Sequence, residues 1–279
     1  MNVPEPPQRL SPSGASTFEQ CPRRWRFRYV ERLPDPPGEP ALVGTFAHRV
    51  LELLMQRPSA ERTVENAKLI ARQEWPEVEA DDDFQALGYG DTEAKQFRWK
   101  AWQAIEGLWT LEDPKSVEVE ATEQDLEVEL DGVPFRGIVD RLDVEGDGLV
   151  VTDYKSGKAP SPRYRRARLD QVLLYAAAVQ ADSGQMPVRA RLLYLGQRPV
   201  GIDVNQTEID GVVQKLKGTW DGINEACGSD SFAPKTGPLC GWCPYIDRCP
   251  EGEKEAKKRQ ARKAAQDAAL ELTVEQLAG

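Results

Sequence analysis

Apolar positions change their period several times along the 279 residues, and each change marks an element. Val43, Phe46, Ala47, Val50, Leu51 and Leu54 recur at three- and four-residue spacing, which predicts a helix over 43–56. Residues 61–75 and 91–111 read as two more helices, with the acidic turn Asp81–Asp83 between them and Trp99, Trp102 and Trp109 as a core-facing stripe. The period then shortens. Residues 116–120 alternate apolar and acidic positions, residues 126–130 form a second strand, and Asp131-Gly132 supplies a turn. Two apolar β-type runs between Gly137 and Lys155 flank Glu145-Gly146-Asp147-Gly148, which predicts a hairpin. A helix over 163–180 follows, then strands over 188–195 and 199–204, a helix over 207–226 capped by Thr207, and a charged helix over 251–270. Ser11-Pro12-Ser13 offers an early helix start, and Pro34 to Pro40 reads as a loop. The expected fold is α/β: a mixed central sheet flanked by helices, a helical N-terminal part and a C-terminal cysteine-rich loop. The expected organisation is a flexible arm over 1–10, a single domain over 11–250 and a charged C-terminal helix over 251–279.

Composition narrows the class. Hydrophobic residues are 40% and charged residues 29%, as in a globular protein. No run approaches the roughly 18 apolar residues of a membrane helix, and the N-terminus lacks the apolar core of a signal peptide. The expectation is a cytoplasmic protein with no membrane partner. A net charge of −10 argues against a nucleic-acid partner, but the charge is uneven. Residues 77–147 hold 21 acidic and 6 basic residues, a net of −15, so the rest of the chain is net positive. Basic groups cluster at Arg23–Arg28, Arg163–Arg168 and Lys254–Lys263. Arg23 to Tyr29 interleaves basic and aromatic residues, which fits either strand contact or an amphipathic segment with Trp25 and Tyr29 in the core.

The hairpin carries the chemistry. Asp140 lies in its first strand, and Asp153-Tyr154-Lys155 closes the second. Two carboxylates on adjacent strands are hard oxygen ligands suited to Mg²⁺ or Mn²⁺, and a lysine beside them can orient a water or steady charge on a phosphate. Gln171 and Tyr175 are four apart on a predicted helix and share a face, so amide and phenol can together meet a phosphate or base edge. His48 is the only histidine, so any Ser-His or Cys-His pair must use it, and no Gly-x-Ser-x-Gly elbow accompanies it. No Gly-x-x-x-x-Gly-Lys loop is present. Of the five cysteines, Cys240, Cys243 and Cys249 cluster as Cys-x₂-Cys-x₅-Cys, which reads as a metal site lacking one ligand. Cys21 or Cys227 would be the fourth, holding Zn²⁺ or an iron–sulfur cluster.

These elements together resemble the RecB-like and AddB-like branch of the PD-(D/E)xK nucleases. The match lies in Gly44-Thr-Phe-Ala-His48, Asp140, Asp153-x-Lys155 and Gln171-x-x-x-Tyr175, in family order, after an opening of Leu10-Ser-Pro-Ser with Phe18 and Cys21-Pro22. The resemblance implies catalytic Asp140, Asp153 and Lys155. It implies Mg²⁺ or Mn²⁺ held by His48, Asp140, Asp153 and the backbone carbonyl of Tyr154, and a DNA strand held by Gln171 and Tyr175. Glu120 is a further candidate for the site. The resemblance also makes Cys21, Cys240, Cys243 and Cys249 the ligands of a [4Fe-4S] cluster and leaves Cys227 aside. The implied function is a DNA exonuclease on single strands in repair or recombination, working with a helicase or repair partner. Two other readings stand beside it: a non-catalytic DNA-binding scaffold protein, and an iron–sulfur redox sensor.

Overall fold

The computed structural model describes residues 4–278, with side chains as far as Asp267. Its helices are α1 (Pro12–Gln20), α2 (Pro22–Trp25), α3 (Glu39–Met55), α4 (Val64–Ala80), α5 (Asp82–Gln85), α6 (Asp91–Glu106), α7 (Arg165–Ser183), α8 (Gln206–Gly228) and α9 (Pro250–Ala278). Five strands form one sheet: β1 (Glu118–Leu130), β2 (Val133–Glu145), β3 (Gly148–Lys155), β4 (Arg189–Tyr194) and β5 (Arg198–Asp203), in that order. Every neighbouring pair is antiparallel except β3 and β4, which run parallel and are joined through α7. This is the expected mixed sheet flanked by helices.

Local chemistry shifts several boundaries. α3 begins at Glu39, inside the stretch expected as loop, because Pro40 in its first turn gives up an N–H that would lack a helical partner anyway. Thr63 caps α4, its hydroxyl accepting from the Asn66 N–H at 3.2 Å, and the helix runs on through Pro76 to Ala80. α8 is capped by Asn205 rather than Thr207: the Asn205 side-chain oxygen accepts from the Glu208 N–H at 3.1 Å. In α6 the buried stripe is Phe97, Ala101 and Ile105. The expected tryptophan stripe is therefore offset, with Trp99 63% exposed and Trp102 and Trp109 half-buried. The two short strands expected before the hairpin are one continuous β1. Asp131 and Gly132 take φ of 49° and 76°, the left-handed pair that a tight hairpin turn requires.

The chain gathers into two compact units, so the expected single span 11–250 contains both. One unit holds Arg9–Pro12 with Pro36–Lys217, and the other holds Ser13–Asp35 with the chain from Gly218 onward. In the sheet unit, Leu51 and Leu54 of α3 and Phe97 and Ile105 of α6 bury against Tyr154 and Leu193 of the sheet. Each such side chain contributes about 1.5–3 kcal/mol by leaving water. Leu10 is not part of a free arm. It is 1% exposed, its N–H donates to the Pro134 carbonyl at 2.8 Å, and its carbonyl accepts from the Arg136 N–H at 3.2 Å.

In the other unit Trp25 is 1% exposed and stacks on Phe232 with ring centroids 5.9 Å apart. The neighbouring arginines are engaged by the fold. Arg24 and Arg28 pair with Asp35, Arg26 with Glu31 and Asp230, and Arg23 donates to the Phe232 carbonyl. The run from Arg23 to Tyr29 is thus a packed amphipathic segment, one of the two alternatives its sequence allowed.

Candidate active site

The register of β2 and β3 builds the site. Arg141 pairs with Thr152, so the next rung sets Asp140 opposite Asp153. Side chains alternate between faces, which puts both carboxylates and Lys155 on one side of the sheet. Asp140 Oδ2 accepts from the Tyr154 N–H at 2.7 Å and stands 3.2 Å from His48 Nδ1, which α3 carries over the strand. Asp153 is 1% exposed; Lys155 Nζ lies 2.6 Å from its Oδ2, and Gln171 Nε2 donates to its Oδ1 at 3.1 Å. Gln171 Nε2 also donates to the Tyr175 hydroxyl at 2.9 Å. The expectation aimed Gln171 at a DNA strand. In this structure its amide is a brace on Asp153. Tyr175 seats its ring over Gly137, where a Cβ would come within 2.7 Å of the ring, so the absence of a side chain at 137 makes room for it.

One further acid joins the site. His48, Glu123 and Asp140 each offer a ligand atom, and the three atoms lie within 4.8 Å of one another. Thr122 pairs with Arg141 and Gln124 with Val139, so Glu123 stands across from Asp140. Directly opposed residues of an antiparallel pair share a face, which sets Glu123 beside Asp140; the Glu123 φ of 47° is left-handed backbone at a non-glycine position. Glu120, which the sequence offers either as a lesser candidate for the site or as a solvent-facing acid, is exposed. Glu123 escapes a reading of the sequence because it is one of several similar acids along β1, and only the register with β2 singles it out.

The electrostatics show an excess of negative charge. Burial, then the charges of Asp140 and Glu52, push Glu123 up to about 7. Burial and the charge of Asp140 also push Asp153 upward, against the pull of Lys155. Burial opposes charge on His48, but the hydrogen bond and charge of Asp140 outweigh it and raise the ring's pKa. Burial raises the Tyr175 hydroxyl, with the charge of Asp153 adding to it, so Tyr175 stays a neutral hydrogen-bonding group. The set has the oxygen and imidazole donors of a divalent-cation site.

Directly behind, the same strands carry a second ionic cluster. Arg141, fully buried, donates to Glu112 at 2.6 and 3.0 Å, to the Tyr154 hydroxyl at 2.7 Å and to Asp143 at 3.0 Å. Arg191 donates to Asp143 at 2.8 Å, to Thr152 at 2.9 Å and to Glu145 at 2.9 Å. Tyr154 thus gives its hydroxyl to the back cluster while its N–H holds Asp140 on the front.

In the other unit Cys21, Cys240, Cys243 and Cys249 line one cavity of about 210 Å³. Backbone N–H groups of Lys235, Gly237 and Gly252 point at the sulfurs of Cys21, Cys240 and Cys249 at 3.3–3.4 Å. Cys227 is buried and is not among the lining residues. Its thiol is raised by burial, which keeps it protonated.

An ATP-dependent helicase/deoxyribonuclease subunit of Streptococcus agalactiae is 26% identical over 224 residues, covering 75% of this chain and 20% of that protein. The protein of the same name in Streptococcus mutans is 29% identical over 163 residues, 54% of this chain and 14% of its own length. The chain therefore spans about a fifth or less of the curated relatives it matches. A crystal structure of a candidate exonuclease from Eubacterium rectale shares the fold at a TM-score of 0.53 and 15% identity, covering 85% of this chain and 88% of its own. The sequence profile of the PD-(D/E)XK nuclease superfamily matches residues 9–250, a span that includes the carboxylate site and all the cysteines. On that match and this fold, the chain belongs to the PD-(D/E)XK nuclease superfamily.

Proposed function

We propose that the chain is a metal-dependent deoxyribonuclease that hydrolyses phosphodiester bonds, acting as an exonuclease on single-stranded DNA in repair or recombination. The observation that carries this reading is the convergence of His48, Glu123 and Asp140 beside the Asp153–Lys155 pair. Asp140, Asp153, Glu123, the His48 ring and the Tyr154 carbonyl would hold Mg²⁺ or Mn²⁺. When bound, such a cation polarises the scissile phosphate and lowers the pKa of a coordinated water. Lys155, its side chain 31% exposed, reaches the solvent edge of the site, where it orients the attacking water and offsets charge on the phosphate. Asp153 holds Lys155 in place through their 2.6 Å contact. Gln171 fixes Asp153, and Tyr175 supports Gln171 while offering its hydroxyl edge to the strand. The matched relatives are named as subunits of a helicase/deoxyribonuclease, which supports a helicase or repair partner for this chain.

The four cavity cysteines fit a [4Fe-4S] cluster. The donor set is all thiol, and backbone N–H groups face three of the sulfurs. A single tetrahedral Zn²⁺, with Zn–S bonds of about 2.3 Å, would need its sulfurs closer together. Among the described residues the convergence within 4.8 Å occurs at His48, Glu123 and Asp140 and not among the cysteines. Protein purified without oxygen should be brown and carry about four irons per chain, and should keep both in Cys227→Ser but not in Cys21→Ser. Zinc in place of iron would remove the cluster from the proposal. End-labelled single-stranded and duplex DNA incubated with and without Mg²⁺ or Mn²⁺ tests the nuclease itself. Metal-dependent shortening of the single strand from an end is expected, and absence of cleavage with either metal would refute it.

A further inference from the structure

α4 and α6 both pack on α3 and leave a groove of about 350 Å³ between them, within the sheet unit. The groove floor is apolar, formed by Trp75 and Ile105 with Phe46 of α3. Its rim is cationic: Lys68 and Arg72 come from α4 and Arg98 from α6, all three exposed. Each helix lays a cation over the other's indole. Lys68 Nζ is 5.2 Å from the Trp102 ring centroid, and Arg98 Cζ is 4.8 Å from that of Trp75. Of the other cations on these three helices, Arg49 pairs with Glu52 and Glu74 and Lys100 with Glu39, while Lys95, outside the groove lining, has no carboxylate partner among the described residues. Among the described residues Lys68, Arg72 and Arg98 pair with no carboxylate, although their own helices carry Glu65, Glu74, Glu93 and Glu106. An apolar trough rimmed by three uncompensated cations, in a chain of net charge −10, is a local reversal of the protein's charge.

The geometry points to a docking groove for an acidic peptide segment of a partner protein, one that buries an aromatic or aliphatic anchor against Trp75 and Ile105 and sets carboxylates on Lys68, Arg72 and Arg98. The apolar floor rewards a side chain, and burying a large one there is the kind of contact that dominates helix-in-groove recognition. A cation already stacked on a ring is held in place for a carboxylate and loses little freedom on binding. A DNA strand fits less well, for three reasons. The indole faces are covered by cations and not open to bases. Phe46 and His48 leave α3 about 200° apart, so the groove and the carboxylate site lie on different sides of that helix. The chain as a whole carries a net −10, which repels a polyanion more than a peptide with two or three acids. The inference goes beyond the nuclease reading and stands whether or not the chain cuts DNA.

Selection of a displayed random peptide library on the full chain tests it, counter-selected on Lys68→Glu/Arg72→Glu/Arg98→Glu. Acidic peptides with an aromatic or leucine anchor should be enriched. A fluorescein-labelled selected peptide should bind the variant at least about tenfold more weakly, and bind the parent more weakly as salt rises. The thermal melt and cleavage of short oligonucleotides should be kept in the variant. If the triple variant does not fold, Arg72→Glu alone, which touches no ring, replaces it with a smaller loss. Selection without acidic enrichment, or equal peptide binding by both proteins, overturns the proposal. So does displacement of the peptide by a single-stranded oligonucleotide that itself loses affinity for the variant, which would make the groove a DNA contact.

Discussion

β2 and β3 carry two ionic clusters with buried centres, one on each face, and they differ in how their charge is balanced. On the back, Glu112, Asp143 and Glu145 meet the guanidinium groups of Arg141, Arg191 and Arg189. On the front, Asp140, Asp153 and Glu123 share Lys155 and the His48 ring. The back is neutralised by side chains alone. The front is not, and burial with mutual repulsion pushes Glu123 up to about 7. Buried charge without a full complement destabilises a fold, so a site that retains it needs a counter-charge from outside. The same residue types one position apart along a strand thus serve structure on one face and, on the reading proposed above, would hold a cation on the other.

That contrast breaks most sharply at Asp153. Asp153→Asn should lower metal-dependent cleavage by about a thousandfold or more, while the thermal midpoint of the metal-free protein stays level or rises. A large loss of stability would place Asp153 with the back cluster. Arg141→Met should do the reverse. Removing the guanidinium leaves Glu112 and Asp143 buried and short of a partner, at a cost of about 3–5 kcal/mol in urea unfolding. Residual cleavage per folded molecule should be kept, apart from what the loosened Tyr154 costs Asp140.

Smaller changes sharpen the comparison. Glu123→Gln should weaken Mn²⁺ binding about tenfold by calorimetry, with little effect on the metal-free melt. In the wild type a proton must leave Glu123 before a cation binds, so Mn²⁺ affinity should rise as pH increases through about 7 and flatten in Glu123→Gln. The sign for stability is opposite. A carboxyl raised from 4.5 to about 7 in the fold is neutral below its unfolded value, so the metal-free fold loses this contribution as pH climbs through that window. Gln171→Ala should cost less still: a severalfold loss of cleavage through a freer Asp153, restored in part by Gln171→Asn only if the shorter amide reaches Oδ1.

Much of this was legible in the sequence, for reasons that particular residues show. The Asp131-Gly132 turn and the acidic turn before Gly148 frame β2 and β3, and the strand period then requires Asp140 and Asp153 to face each other. Gln171 and Tyr175 share a face because a helix turn is nearly four residues long. What escaped depended on local geometry or on tertiary choice. Glu123 is one of several similar acids in β1, and only its register with β2 sets it beside Asp140. Arg141 and Asp143 sit at i and i+2 in an apolar strand, and nothing in that spacing distinguishes a saturated buried cluster from surface charge. Trp99 points outward because Phe97, Ala101 and Ile105 fill the core side of α6 first. No helix among the described residues is long and apolar enough to cross a membrane.

The most direct test of the front face as a cation site is the effect of Mn²⁺ on unfolding, since a ligand that binds only the native state raises its stability with concentration. Millimolar Mn²⁺ should raise the thermal midpoint of the wild-type chain, and of Arg141→Lys if it folds, but leave Asp140→Asn unmoved. Equal stabilisation of wild type and Asp140→Asn, or none of the wild type, would contradict the account.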